Sequence, residues 1–228
     1  MKVGDNEVKD ILIGDTQVLK VYRGEDVIWE KSVSPLPSGY RQVEYLESVD
    51  GQYIDTGILG NSNIKVVFDG SMQSGGTYHL FGARINFNTA MFTFGAYMRN
   101  YETKYSTNSQ AFSNNSLSFR AVIEKDKNIT RIYNSSQQLE REIVQSYESF
   151  DCEVSIYLFA THTKEGPNPV AVEGTKHCYS CKIYDNDILQ RDFIPCLDPN
   201  NRPCMFDLVT QQPFYNQGTG EFRYRNII

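Results

Sequence analysis

The chain has 228 residues with a net charge of −6, 40% hydrophobic and 22% charged residues, and 15 Tyr and 13 Phe. The acidic balance and the lack of any basic run argue against nucleic-acid binding through phosphate neutralisation. No apolar stretch approaches 18 residues and Met1–Asp5 leads into no signal-peptide core, so neither membrane insertion nor classical secretion is expected.

The first thirty residues repeat every ten. Val3-Gly-Asp-Asn-Glu-Val8, Ile13-Gly-Asp-Thr-Gln-Val18 and Arg23-Gly-Glu-Asp-Val-Ile28 place Gly at 4, 14 and 24, each followed by an acid. Gly takes positive φ without steric cost, so a Gly-acid pair between β-forming runs predicts a tight hairpin turn. The odd positions Ile11, Ile13, Leu19, Val21, Val27 and Trp29 are apolar, the period-2 pattern of a half-buried strand. Several even positions are apolar too, and a three-strand meander this short cannot bury both faces by itself. Residues 1–31 are therefore predicted to be a β-meander that docks on something else, with Ile11, Ile13, Leu19, Val21 and Trp29 as its contact residues. Homo-oligomerisation is expected for the same reason.

Residues 32–38, Ser-Val-Ser-Pro-Leu-Pro-Ser, read as an extended linker. From 39 to 228 the chain reads as short strands with turn punctuation. The strands are predicted at 52–58, 64–71, 78–83, 90–100, 117–124, 130–134, 153–161, 178–184, 188–195 and 205–209. Only Ser136–Tyr147 offers a helical spacing, through Leu139, Ile143 and Val144, and it reads equally well as a loop and a strand. Evenly spaced strands without helices predict an all-β antiparallel sandwich, and about 190 residues favour a large jelly roll over an immunoglobulin domain.

Five cysteines (152, 178, 181, 196 and 204) are an odd count, which predicts reduced thiols. Cys196 and Cys204 flank a turn across which they can meet. His177-Cys178-Tyr-Ser-Cys181 has half of a zinc-knuckle pattern but no second close pair, and i, i+3 residues on a strand face opposite sides. Asp185-Asn-Asp187 has oxygen ligands for Ca²⁺ and also the composition of a hairpin turn, which explains it with no metal. No metal or cofactor is expected. Glu148, Asp151 and Glu153 are the nearest approach to a glycosidase carboxylate set, but 148 is out of phase with the other two. His79 and His162 have no visible Ser or Asp partners, so no catalytic residue is predicted and the protein is not expected to be an enzyme. In the aromatic run from Phe92 to Tyr105, Phe92 and Phe94 alternate as core residues would. Tyr97, Arg99 and Tyr101 share one parity with charge mixed in. They are a candidate contact face for protein or glycan, with core packing as the alternative.

Several segments carry a family likeness: Leu36-Pro-Ser-Gly-Tyr-Arg-Gln-Val-Glu-Tyr-Leu-Glu-Ser48, Gly51-Gln-Tyr-Ile-Asp-Thr-Gly57, Leu80-Phe-Gly-Ala-Arg84 and Tyr157-Leu-Phe-Ala160. Others are Lys182-Ile-Tyr-Asp-Asn-Asp-Ile-Leu189, Arg191-Asp-Phe-Ile-Pro-Cys196, Pro203-Cys-Met-Phe-Asp-Leu-Val209 and Pro213-Phe-Tyr-Asn-Gln-Gly-Thr-Gly220. In this order, over about residues 36–228, they resemble the LamG-like, concanavalin A-like lectin/glucanase domains of phage structural proteins from gut bacteria. Val21-Tyr-Arg-Gly-Glu-Asp-Val-Ile-Trp29 is similar to short attachment repeats of phage tail and head fibres. The resemblance implies a virion component assembled in a bacterial cytoplasm and docked on other virion proteins through residues 1–31. Its sandwich would be displayed outward; the resemblance implies no particular ligand, and host-surface or mucin glycans are the candidate carbohydrate partners. A glycoside hydrolase or a ligand-free capsid cement protein are the alternatives.

Overall fold

The computed structural model describes the chain except residues 1, 4–5, 8–10, 14–15, 19, 31–33, 50, 73–76, 87–88, 98–99, 115 and 168–174. It divides into two compact units, Met1–Pro37 and Ser38–Ile228.

In the first unit Lys2–Val3 (β1) pairs with Asn6–Glu7 (β2), Ile11–Ile13 (β3) with Thr16–Val18 (β4), and Lys20–Arg23 (β5) with Asp26–Glu30 (β6). Gly24, at a φ of 68°, stands between the directly opposed Arg23 and Asp26, as a two-residue II′ hairpin requires. The predicted meander is therefore replaced by three successive hairpins; among the described residues each arm pairs only with its own partner. The cause is the ten-residue spacing, since each ladder holds only two to four residue pairs before the chain turns back. Ile13 is 73% exposed, and Tyr22, Val27 and Ile28 are exposed as well, while Ile11 and Val21 are half-buried. Trp29 lies opposite Val21 in the ladder. Leu19 lies outside the described residues.

The second unit begins with Arg41–Ser48 (β7), Ile54–Asn61 (β8), Ile64–Met72 (β9), Tyr78–Arg84 (β10), Met91–Tyr97 (β11), Asn100–Ser106 (β12) and Asn108–Phe112 (β13). After a 3₁₀ turn at Ser116–Ser118 come Ala121–Asp126 (β14), Ile129–Asn134 (β15), Leu139–Val144 (β16), Asp151–Leu158 (β17), His162–Thr163 (β18) and Gly166–Pro167 (β19). Lys176–Asp185 (β20), Ile188–Leu197 (β21), Pro203–Asp207 (β22), Gln212–Tyr215 (β23) and Arg223–Ile227 (β24) complete it. The strands make two antiparallel sheets, ordered β13-β12-β11-β10-β17-β8 and β16-β15-β14-β9-β20-β7-β21-β22-β23. A short β18 runs parallel to β10 at Ala83, and β24 pairs with β7.

The period-2 signal is cleanest in β9, where Ile64, Val66 and Phe68 are fully buried and alternate with half-buried residues. These meet an aromatic cluster from the other sheet, with Phe81 5.7 Å from Phe68, 6.4 Å from Phe92 and 5.9 Å from Phe94. Burying such rings on both inner faces is the main driving force for closing the sandwich. The 136–147 segment is a turn followed by strand β16. Ile143 points inward while Leu139 and Val144 are exposed, so the three apolar residues never shared a helix face. The predicted strand at 90–100 is two elements, because the chain reverses between Tyr97 and Asn100.

Candidate functional site

The outer face of the larger sheet holds the most organised set of polar and aromatic side chains. Ser71 on β9, His177 on β20 and Glu47 on β7 are direct register partners across three adjacent strands, so their side chains emerge in one row. Ser71 Oγ lies 2.9 Å from His177 Nδ1, and His177 Nε2 lies 2.9 Å from Glu47 Oε2. His177 thus bridges the two, sharing one ring nitrogen with the serine hydroxyl and the other with the carboxylate. Arg223 on β24 extends the row, 3.7 Å from Glu47.

A second row runs beside the first. Arg120 donates to both carboxylate oxygens of Asp69, at 2.9 and 2.7 Å, and its guanidinium lies 4.0 Å from the Tyr179 ring centroid. Tyr179 meets Tyr45 edge-on at 5.1 Å, and Tyr45 lies 4.2 Å from the His177 ring. The paired Asp69 raises the Arg120 guanidinium above its ordinary value. Next to this ladder a groove of about 160 Å³ is lined by Asp69, Arg120, Ala121, Val122, Ser135 and Gln137.

The first row has the residue order of an acyl-transfer relay but not its access. Ser71 is 4% exposed and sits inside a regular ladder, between Gly70↔Cys178 and Met72↔Lys176. Backbone N–H groups in such a ladder serve strand pairing, whereas oxyanion stabilisation needs them turned toward the reacting carbonyl.

A second histidine cluster lies on the other sheet. Ser155 Oγ donates to Asp55 Oδ1 at 2.5 Å. His162 Nδ1 must donate to the Ser155 carbonyl at 3.0 Å, which leaves Nε2 to accept from the Tyr157 hydroxyl at 3.2 Å. The serine proton thus goes to the acid, the reverse of a Ser-His-Asp relay. Burial holds the His162 imidazole below its ordinary value and therefore neutral. Tyr53, Tyr157 and His162 stack in one column, at centroid spacings of 4.6 and 3.9 Å.

The residues singled out in sequence fall elsewhere. Tyr101 is in the core, 2% exposed, its hydroxyl 3.2 Å from the Met72 carbonyl and 3.1 Å from Ser118 Oγ. It is no part of a contact face, because it lies opposite the core residue Ala96 across the β11–β12 ladder. Tyr97 ends β11, and Arg99 lies outside the described residues. Cys178 and Cys181 both face the core, contrary to the i, i+3 expectation, because a ladder irregularity between Cys178 and Ser180 resets the alternation. Asn186 and Asp187 have φ values of 49° and 64°, as a I′ hairpin turn requires, and Asp187 pairs with Lys127 at 3.2 Å. Glu148, Asp151 and Glu153 diverge: Glu148 accepts from Ser106, Asp151 caps the Glu153 amide, and Glu153 pairs with Lys164. Among the described residues no His, Cys, Asp and Glu group has the geometry to hold a metal ion. No helix among the described residues is long and apolar enough to cross a membrane.

Sequence reading missed both histidine clusters. His177 stands 106 residues from Ser71 and 130 from Glu47, and only the strand register joins them. No protein-family model matches the chain, and no curated protein matches it in sequence.

Proposed function

We propose that this chain is a non-enzymatic structural protein of a phage virion, docked on other virion proteins through its N-terminal hairpins and displaying a concanavalin A-like sandwich outward. The observation that carries this reading is the unequal burial of the two units. The sandwich covers its own core, whereas the hairpins leave Ile13, Tyr22, Val27 and Ile28 open to solvent. Exposed apolar side chains on hairpins this short, none of whose residues of described exposure is buried, mark a contact surface. The two antiparallel sheets packed on one aromatic core, together with the motifs of residues 36–228, support the jelly-roll reading. The groove beside Arg120 is the candidate carbohydrate site: the fixed Asp69–Arg120 pair, Ser135 and Gln137 line it with polar groups that can meet ring hydroxyls.

Two substitutions at exposed positions, Ile13→Asp and Val27→Asp, test the docking end without touching the sandwich core. Full-length protein is expected to copurify with assembled particles and the double variant is not. Equal retention of both, or no particle association of the unaltered chain, overturns the reading. In the same protein Arg120→Ala is expected to abolish any signal on a glycan array; a signal that survives it moves the ligand site elsewhere.

A further inference from the structure

Cys196 on β21 and Cys204 on β22 are direct register partners across an antiparallel ladder. Both are fully buried and reduced, and their sulfurs are 3.4 Å apart. Directly opposed Cα atoms in such a ladder are about 4.5–5.5 Å apart, within the roughly 4.4–6.8 Å that a disulfide spans. Joining the sulfurs therefore asks for side-chain rotation and little backbone movement.

The turn between them is already fixed. Asp198 accepts from the Asn200 and Arg202 amides at 2.8 and 2.9 Å and from the Tyr215 hydroxyl at 2.9 Å. A cross-link would thus be added to a hairpin that is preset for it. The other three cysteines have no such partner: Cys152 lies against the carbonyls of Ala83 and Ala90, and Cys178 and Cys181 follow one another on a single strand.

We propose that Cys196 and Cys204 form an oxidisable dithiol that closes to a disulfide by exchange with a small-molecule disulfide such as oxidised glutathione. One cysteine loses its proton and its sulfur attacks glutathione disulfide, giving a mixed disulfide and releasing one glutathione thiolate. The second cysteine then loses its proton and displaces the other glutathione, forming the Cys196–Cys204 bond. The protein gives up two electrons and two protons, and one glutathione disulfide becomes two thiols. The hydrogen bond to Cys196, followed by burial, holds the Cys204 thiol far above its ordinary value. Thiolate is accordingly scarce and the exchange is slow, gated by local opening of the hairpin. The pair stays reduced in a glutathione-reducing compartment and closes in an oxidising one.

The test uses the purified full chain, freed of reductant and incubated with oxidised glutathione at mildly alkaline pH. Thiols titrated in denaturant are expected to fall from five to three, the intact mass to drop by two hydrogens, and peptide mapping to join Cys196 to Cys204. The Cys204→Ala variant is expected to lose no pair of thiols. Five persistent thiols, a lasting glutathione adduct in place of the cross-link, or a bond involving Cys152, Cys178 or Cys181 overturns the proposal. If the variant does not fold, the peptide map of the unaltered chain decides by itself.

Discussion

Lys125 occupies the third inward position of β14, after Ala121 and Ile123. Its ammonium is fully buried, donates to Thr103 Oγ1 at 3.0 Å, and lies 4.8 Å from the centre of the Phe92 ring and 5.7 Å from that of Tyr105. Thr103 and Thr130 share a further hydrogen bond of 2.8 Å. No carboxylate is among these contacts, and burial pushes the amine down to about 7. One hydroxyl and two ring faces offset only part of the desolvation of an ammonium. Lys125→Met keeps the apolar stem and removes the buried amine. It is expected to raise the stability of the sandwich at neutral pH by about 2 kcal/mol, read as an upward shift of the urea midpoint. Lys125 lies one residue beyond the strand predicted at 117–124, and its inward position shows only in the observed β14. The core position of Tyr101 does not show in the sequence either, because the reversal after Tyr97 changes which parity faces the core.

At the scale of elements, strand ends are held by side chains that replace missing ladder partners. Asp207, fully buried at the end of β22, accepts from the Asp192, Val209 and Thr210 amides at 2.8, 3.1 and 3.3 Å and from the Thr210 hydroxyl at 2.7 Å. Arg191 lies 3.7 Å away and supplies the compensating charge. Asp207→Ala strands these donors and leaves Arg191 without its counter-ion. A loss of about 3–5 kcal/mol is expected in urea unfolding, and a smaller one for Asp207→Asn, which still accepts hydrogen bonds. Most strand centres were legible from period-2 alternation. Their ends were less so, as were β7, β12, β13, β23 and β24, because a strand's limits depend on where its partner stops. The helical spacing at 136–147 misled for a related reason. Sequence cannot tell which of Leu139, Ile143 and Val144 will meet a core, and only Ile143 does.

For the whole molecule, buried bases and buried thiols set opposite limits on stability with pH. His79, 4% exposed, is held down to about 3 by burial first and then by the Arg84, Lys104 and Lys176 charges. Unfolded histidine takes its proton below its ordinary 6.5, so stability drains away as pH falls from there toward 3. The unfolded chain protonates Lys125 below 10.5 and the folded chain only below about 7, so stability also falls across that window. Above pH 9 the sign reverses. Burial raises Cys152 to about 12 and lifts Cys178 and Cys181, and the hydrogen bond to Cys196 together with burial lifts Cys204, so unfolded thiols ionise first. The urea midpoint is therefore expected to peak near about pH 8–9, above its value at about pH 7 and well above that at about pH 5. A peak at or below pH 6 would refute the assignment of Lys125 and His79 as buried neutral bases.

What the chain alone determined is the part governed by local physics. Dense Tyr and Phe with period-2 alternation dictate β structure, Gly-acid pairs every ten residues dictate hairpins, and the Pro-Leu-Pro segment separates a small unit from a large one. Tertiary structure decided the rest, because register and facing are non-local. The three-stranded row of Ser71, His177 and Glu47, the inward pair Cys178 and Cys181, and the opposition of Cys196 to Cys204 all depend on which strands lie side by side and at what offset. A one-residue slip in any of those ladders would send the same side chains to the opposite face.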